Sequence, residues 1–215
     1  MNARARIGGS IKDWYEDYWS EPDEYADAHA EIRLRLLRNL LASERRALSV
    51  LDAGCGLGHV VRALTDDGHD VVGMDVSRTA VEVAARSHEG CEFVEHSVED
   101  LPWRIAPASV DLVVAFEVIE HLMRPRLLLE GAYGVLKPGG HLALTTPYHG
   151  WLKNVALATL AFDDHFRIEG DHIRFFSDRA LERLLQETGF SVVRRLHFGR
   201  IWGLWAGVFM WAQRT

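Results

Sequence analysis

The sequence predicts an α/β fold in which helices cover both faces of a mostly parallel sheet. A short apolar run at residues 49–51 leads through a glycine-rich turn into a helical pattern of apolar residues at 60–64. A second apolar run, residues 71–75, follows about twenty residues later, as in one strand–helix–strand unit. Residues 110–115 are apolar almost throughout and rich in β-branched side chains, which indicates a central strand buried on both faces.

Length and composition favour one large domain. The chain has 215 residues, 48% of them hydrophobic, which is enough for a substantial core. A net charge of −7 without a basic patch argues against nucleic acid as a partner. The two cysteines, Cys55 and Cys91, form no disulfide framework, and the first ten residues lack the apolar core of a signal peptide. The expected location is therefore the cytoplasm.

The glycine-rich turn carries the clearest functional signal. Gly54, Gly56 and Gly58 allow positive φ angles and let a ligand lie against bare main chain. Asp75 ends the second apolar run, where nucleotide-binding folds place a carboxylate on ribose hydroxyls. Asp52 precedes the turn, and no Lys or Arg lies within it, so a pyrophosphate would meet an opposing charge. The pattern favours a nucleoside that carries positive charge.

This order of strand, acid, GxGxG turn and second strand-end acid resembles the first two motifs of class I S-adenosylmethionine (SAM) methyltransferases. The resemblance implies a Rossmann-like sheet of seven strands, mostly parallel, with the last strand antiparallel. It also implies SAM as the cofactor and S-adenosylhomocysteine (SAH) as the product. The expected cofactor contacts in this region are Asp52, Gly54, Cys55, Gly56, Gly58, Asp75 and Val76.

The segment before the first strand has two interpretations. An aromatic and acidic cluster at 14–19 precedes a predicted helix from Asp23 to Ala42, whose apolar residues recur at helical spacing. The simpler interpretation is a helix packed on the edge of the sheet. The resemblance instead implies a helical lid over residues 1–44, with Arg33 near the methionine carboxylate, before a methyltransferase domain over 45–215.

Further motifs extend the resemblance over residues 50–147. After a predicted helix capped by Ser77, a third strand leads into the loop 95–102, which resembles the adenine-binding segment of the family. Many relatives have Asp where this chain has Ser97, and we expect the Ser97 hydroxyl and the Val98 amide at the adenine. The resemblance also implies that the carbonyl of Phe116 lies near the cofactor amine.

The loop after the central strand contains Glu117, Glu120 and His121, which are candidates for catalysis or for bracing the loop. A helix is predicted to begin at Pro125, followed by a turn at 137–140 and a strand at 141–145. Residues 136–147 resemble the fifth-strand motif of the same family.

The segment at about 148–176 is predicted to be a substrate cap, because insertions over the crevice carry substrate contacts. It contains His149, His165 and His172. We predict His165 or His172 as a general base, with His121 as a further catalytic candidate; the alternative is that these histidines only cap turns. The sequence shows no compact spacing of two histidines and one carboxylate, so no metal is predicted.

The C-terminal region is predicted to add a helix capped by Ser177, a strand at 191–198 and a final buried strand within 201–212. The last run is apolar and contains three tryptophans, yet it is shorter than the roughly 20 residues needed to span a bilayer. The alternative is a peripheral surface that contacts a membrane or a lipid substrate.

The predicted reaction is methyl transfer from SAM to a small-molecule acceptor, most favourably to a hydroxyl oxygen by in-line displacement. Over roughly residues 45–200 the chain is similar to ubiquinone-biosynthesis O-methyltransferases and their relatives. Aromatic residues near the crevice suggest an aromatic or lipidic acceptor. Two alternatives are a catalytically silent SAM-binding protein and a NAD-dependent oxidoreductase, which would share the fold.

Overall fold

A computed structural model describes residues 11–19, 29–160, 162, 172–199 and 204–215. The strands are β1 (Ser49–Ala53), β2 (Asp70–Asp75), β3 (Glu92–Glu95), β4 (Val110–Phe116), β5 (Leu136–Pro147), β6 (Phe190–Phe198) and β7 (Gly207–Arg214). The α-helices are α1 (Ile11–Tyr18), α2 (Ala30–Leu41), α3 (His59–Asp66), α4 (Arg78–Ser87), α5 (Pro125–Val135), α6 (Trp151–Leu160) and α7 (Asp178–Glu187). A short 3₁₀ helix covers Ile119–His121.

The strands form a single sheet in the order β3-β2-β1-β4-β5-β7-β6. β7 pairs antiparallel with β5 and β6, and the other pairings are parallel. The strand order reverses between β1 and β4, and ligands of open α/β sheets bind beyond the carboxyl ends of the strands at such a point. The predicted Rossmann-like, seven-stranded fold with an antiparallel last strand is confirmed.

Helices cover both faces of this sheet, as predicted. Successive residues of a strand point to opposite faces, so Leu51 joins one apolar cluster and Val50 joins the other. α5 packs on the first face through Leu128, and α2 packs on the second through Leu37. The central strands are therefore buried on both sides, which is why residues 110–115 are apolar almost throughout.

The predicted helix starts are confirmed by their caps. The Ser77 hydroxyl accepts a hydrogen bond from the Ala80 amide at 3.1 Å, and the Ser177 hydroxyl accepts one from the Ala180 amide at 3.3 Å. Pro125 occupies the first turn of α5. These contacts satisfy amides that the first turn of a helix leaves without a partner.

Two boundaries differ from the prediction. The turn predicted at 137–140 is instead an irregular part of β5, which begins at Leu136 and shifts register against β4 across this segment. Pro138 has no N–H to donate and Gly139 has a φ of +77°, so regular pairing is interrupted there. The helix predicted from Asp23 begins at Ala30 in the structure, and residues 20–28 lie outside the described ranges.

The final apolar run forms β7, between β5 and β6 in the sheet. Phe209 and Met210 are fully buried there. The predicted buried strand is therefore confirmed for residues 207–212, while residues 204–206 precede the strand and are half-buried, and residues 201–203 lie outside the described ranges. The alternative of a lipid-contacting surface does not hold for residues 207–212, because they are buried.

α6 lies in the predicted cap segment and buries none of its side chains. Trp151 is 79% exposed and Leu160 is 84% exposed, although both are strongly apolar. No helix within the described ranges combines the length and apolar character needed to cross a membrane.

Candidate active site

A cavity of about 480 Å³ opens at the carboxyl ends of β1, β2 and β4. Its size is typical of small-molecule sites. Among the predicted site residues, its walls include Arg33, Asp52, Gly54, Cys55, Gly56, Asp75, Val76, Ser97, Val98, Phe116, His121 and His172. One continuous cavity therefore joins the predicted cofactor contacts to two of the predicted catalytic histidines.

The glycine turn forms the floor of this cavity. Gly54 has a φ of +84°, and a Cβ there would lie 2.5 Å from a methyl group of Val118. Gly58 is the one predicted contact of the turn that does not line the cavity. A Cβ at Gly58 would lie 2.7 Å from the Phe93 ring, so this glycine allows the turn to pack against β3.

Asp75 is held in position by the backbone. It is 6% exposed, and its carboxylate accepts hydrogen bonds from the Gly56 and Ser77 amides, both at 2.9 Å. Burial raises the pKa of Asp75, and these backbone hydrogen bonds oppose that shift. A carboxylate has about four acceptor positions, and the backbone does not use all of them, so acceptor capacity remains for a ribose hydroxyl.

Asp52 is the second buried acid of the cavity, with 3% of its surface exposed. Burial, together with the nearby charge of Asp75, raises the pKa of Asp52 to about 7. A cationic ligand beside the two carboxylates would relieve this cost of ionisation. The electrostatics therefore favour a positively charged ligand such as a sulfonium nucleoside over a pyrophosphate.

The loop after β3 offers only part of the predicted adenine contact. The Ser97 hydroxyl accepts a hydrogen bond from the Glu99 amide at 3.1 Å, so one of its acceptor positions serves the loop itself. Its O–H and a second acceptor position remain for a ligand. Val98 is 7% exposed, and its carbonyl accepts from the Trp103 indole at 3.1 Å, which fixes this residue at the cavity wall.

The N-terminal aromatic residues form one wall of the cavity: Tyr15 and Tyr18 of α1 and Trp19 directly after it. Glu16 of the same helix accepts hydrogen bonds from the Arg78 and Thr79 amides at 2.8 and 2.9 Å, and from the Ser77 hydroxyl at 3.0 Å. Burial tends to raise the pKa of Glu16, but these hydrogen bonds outweigh it and lower the pKa to about 2. Sequence reasoning identified the aromatic cluster and missed Glu16, because its partners are about sixty residues away and no local pattern marks them.

Arg33 points into the cavity from α2 and is 5% exposed. Its Nη1 atom lies 3.9 Å from a carboxylate oxygen of Glu117, and its guanidinium lies 6.0 Å from the centre of the Phe116 ring. Burial lowers the pKa of Arg33, while the charges of Glu117 and Glu120 act in the opposite direction. A buried guanidinium in this place is suited to a ligand carboxylate.

Glu120 braces the acceptor side of the cavity. It is 1% exposed, and one carboxylate oxygen accepts from the Thr146 hydroxyl at 3.0 Å. Its backbone carbonyl accepts from the Ile173 and Arg174 amides at 3.1 and 3.0 Å, which attaches the segment after the cap to the loop after β4. Burial and the charge of Glu117 raise the pKa of Glu120 well above its ordinary value.

This attachment brings two predicted histidines together. The rings of His121 and His172 lie 4.9 Å apart at an angle of 68°, and both line the cavity. His149 does not line it: this residue is 3% exposed, packs on Phe175 at 4.8 Å and pairs with Asn154 at 3.1 Å. His165 lies outside the described residues.

Glu120, His121 and His172 also form a geometric group suited to a metal ion. Their potential ligand atoms all lie within 4.8 Å of one another, and two histidines with one carboxylate are a set that divalent transition metals accept. One Glu120 oxygen has no hydrogen-bond partner within the described part of the chain. The expectation of no metal was based on spacing along the sequence, which does not show that His172 returns to His121.

Comparisons with known proteins agree with this geometry. A family model described as a methyltransferase domain matches residues 23–195. The mitochondrial ubiquinone biosynthesis O-methyltransferase of Mus musculus is 28% identical over 220 residues, which are 92% of this chain and 58% of the mouse protein. The ubiquinone biosynthesis O-methyltransferase of Nitrobacter winogradskyi is 27% identical over 214 residues, 88% of this chain and 80% of that protein.

Solved structures share the fold. Magnesium protoporphyrin IX methyltransferase from Synechocystis PCC 6803, with bound SAH, superposes with a TM-score of 0.73 at 18% identity, covering 95% of this chain and 100% of the other. SAM is the methyl donor that fits the acid-lined turn described above. The chain belongs to the class I SAM-dependent methyltransferases.

Proposed function

We propose that this protein transfers the methyl group of SAM to a hydroxyl oxygen of a small-molecule acceptor. The observation that carries the proposal is the single cavity, with a cofactor-type turn and buried acids at one end and His121 and His172 at the other. The relatives named above are O-methyltransferases, which supports oxygen as the accepting atom.

The chemistry follows from the cofactor. A sulfonium already carries an activated methyl group, so the protein has to place the acceptor oxygen in line with the bond between sulfur and methyl. Such positioning can supply roughly 7–11 kcal/mol. The carbon–oxygen bond forms as the carbon–sulfur bond breaks, its electron pair returns to sulfur to give SAH, and the hydroxyl proton leaves to a base. The aromatic side chains of α1 limit the access of water.

His172 is proposed as that base, with His121 as its neighbour and Glu120 as the positioning residue. His172 is exposed at the cavity mouth, where an acceptor enters, whereas His121 is half-buried. A correctly placed base adds about 10²–10⁴ to the rate. His165 remains a candidate in the segment outside the described residues.

A second candidate mechanism is metal-assisted transfer. A divalent cation held by Glu120, His121 and His172 would coordinate the acceptor oxygen and lower the pKa of its hydroxyl. Activity that disappears on dialysis against a chelator and returns with added metal would favour this mechanism. Unchanged activity would favour direct proton transfer to histidine.

An aromatic or lipidic acceptor is proposed from the cavity walls and from α6. The Tyr15 ring lies 6.3 Å from the His121 ring between centres, so a flat acceptor beside His121 would also contact this tyrosine. The exposed apolar side chains of α6, in the proposed substrate-cap segment 148–176, favour an acceptor with apolar surface. The N-terminal segment 1–44 is proposed to act as the lid of the site.

The test uses SAM labelled on its methyl group and small-molecule extracts, followed by mass spectrometry of the labelled products. A methyl ether as the labelled product supports the proposal, whereas a methyl ester would indicate a carboxylate acceptor and contradict the hydroxyl assignment. A product methylated on nitrogen or carbon would contradict the hydroxyl assignment. SAM binding without any labelled product would instead indicate a catalytically silent binding protein.

A further inference from the structure

α1 forms part of the wall of the cavity that is expected to receive the cofactor. Tyr15 and Tyr18 of this helix, and Trp19 directly after it, line the cavity together with the glycine turn. The Trp19 ring comes within 2.9 Å of the point where a Cβ on Gly56 would stand. We therefore expect a nucleoside bound on this turn to lie beneath α1 and Trp19, so that movement of α1 assists its release.

One carboxylate fixes α1 in this place. Glu16 accepts three hydrogen bonds from the first turn of α4, two of them from the Arg78 and Thr79 amides at 2.8 and 2.9 Å. Amides at a helix start have no partner within the helix, and negative charge is favoured there. Ser77 takes part in this contact through its hydroxyl, while its amide donates to Asp75 at 2.9 Å. The same short segment therefore holds both the acid expected at the ribose and the cover above it.

The other features of α1 hold it to the domain less strongly than the hydrogen bonds of Glu16 do. The helix has eight residues, and helices of this length are marginal on their own in water. Lys12 forms an ion pair with Glu95, but the two side chains are 44% and 37% exposed, and exposed pairs contribute little. The contact at Glu16 concentrates charge-assisted hydrogen bonds at one point, so its loss is expected to free the helix.

We propose that Glu16 is a positioning residue that latches α1 over the bound cofactor and sets the rate at which SAM and SAH exchange. The inference depends on SAM as the cofactor and is independent of the acceptor and of the atom that is methylated. Release of SAH requires the hydrogen bonds of Glu16 to break together as α1 lifts. Weaker bonds therefore lower the barrier to release.

The first test removes the carboxylate. In Glu16→Ala we expect SAH to dissociate about 30-fold faster, because three charge-assisted hydrogen bonds are lost. Glu16→Gln keeps an acceptor oxygen without the charge and should give an intermediate rate. Dissociation is followed by stopped-flow tryptophan fluorescence after displacement with excess SAM, since Trp19 lines the cavity. Glu130→Ala, at an exposed position on α5, is the control and should behave as the wild type.

A second pair of variants tests the latch from the side of α4. Arg78 is the first residue of this helix and follows Ser77, which has an extended backbone, so proline is tolerated there. Arg78→Pro deletes the amide that donates to Glu16, while Arg78→Ala keeps the amide and loses the same side chain. We expect Arg78→Pro to speed SAH release by about five- to tenfold and Arg78→Ala to leave it unchanged.

Steady-state kinetics and hydrogen exchange add readouts that a general loss of stability would not reproduce. Glu16→Ala should raise the KM for SAM without lowering kcat, and it should speed amide exchange of α1 in the SAH complex while exchange in the central strands stays slow.

If the Glu16→Ala protein does not fold, the comparison of Arg78→Pro with Arg78→Ala decides whether Glu16 acts as a latch. Equal SAH dissociation rates in Arg78→Pro and Arg78→Ala would overturn the proposal, and so would a wild-type rate in a folded Glu16→Ala protein. SAH release is measured without acceptor. A negative result for Glu16 therefore does not affect the proposed methylation of a hydroxyl, and a different methylated atom would not affect the proposal for Glu16.

Discussion

The two ends of the cavity are built in different ways. At the cofactor end, Asp75 is held by the Gly56 and Ser77 amides, all within one strand–turn–helix–strand unit. At the acceptor end, His172 lies next to His121 where the Ile173 and Arg174 amides bond to the Glu120 carbonyl and the Arg174 side chain donates to the Leu122 carbonyl at 2.9 Å. The first end is local in sequence and rigid, while the second joins distant segments. Substitutions at the first should therefore remove cofactor binding, whereas substitutions at the second should remove turnover and spare binding.

The largest expected effect is at Gly54. In Gly54→Ala the methyl group meets Val118 and the positive φ adds strain, so we expect SAM affinity to fall at least about a hundredfold. Calorimetric titration measures this loss. Gly68→Ala is the matched control, since Gly68 also has a positive φ, +90°, but nothing lies within 4 Å of its Cβ position. It should lower the melting temperature slightly and leave SAM binding intact; equal binding in both variants would contradict the assignment of the turn.

The second effect is at the acceptor end. His172→Ala should reduce turnover by about 10²–10⁴ with unchanged SAM affinity, because it removes the proposed base or metal ligand. His141→Ala, in a ring that stacks on Trp211 outside this cavity, is the control for loss of a histidine. Full turnover in His172→Ala would move the base to His165, which should then be substituted in the same way. Full turnover in His172→Ala and in His165→Ala would exclude a histidine base at positions 172 and 165.

A smaller effect concerns pH at the cofactor end. The pKa of Asp52 is raised to about 7, and a cationic ligand prefers its ionised form, so SAM binding should tighten as pH rises. Between pH 6 and 8 the ionised fraction of Asp52 rises about tenfold, and we expect an affinity gain of up to that factor by calorimetry. The stability of the free protein should change in the opposite direction and fall as pH rises. An acid whose pKa is raised by folding costs folding free energy at every pH above its pKa in the unfolded chain, because it must then be ionised while buried. Asp52→Asn should make both SAM affinity and stability depend less on pH, with Asp75 and Glu120 contributing the remainder for stability; an unchanged binding profile in this variant would argue against Asp52.

The smallest effect is expected at Ser97. Its hydroxyl already accepts from the Glu99 amide, so Ser97→Ala should weaken SAM binding only about two- to threefold. Ser97→Asp introduces the side chain that the family resemblance implies at this place and should tighten binding by a similar factor. The two affinities can be compared by competition with SAH. A larger loss in Ser97→Ala would mean that the hydroxyl contacts the adenine directly.

The same contrast explains how much the sequence predicts. The sheet and the cofactor end follow from local patterns, because a strand, a glycine turn and a strand-end acid are placed by the chain that directly connects them. The approach of His172 to His121 and the contact of Glu16 with α4 depend on how separate segments dock. Neither of these two contacts produces a periodic pattern or a characteristic spacing in the sequence. The irregular start of β5 at 137–140 was missed for a related reason: its glycines and proline mark a turn, but pairing with β4 keeps the segment in the sheet.

The bonds from Ile173 and Arg174 to the Glu120 carbonyl have a consequence for diversification of the enzyme. At the other side of the cap, the end of β5 is fixed by pairing of Pro147 with Gly207. Residues 148–171 therefore connect two points that are fixed to the rest of the domain. Evolution or an engineer can exchange this stretch for a longer, shorter or more polar one and so change which molecule is admitted, and we expect His172 to stay next to His121.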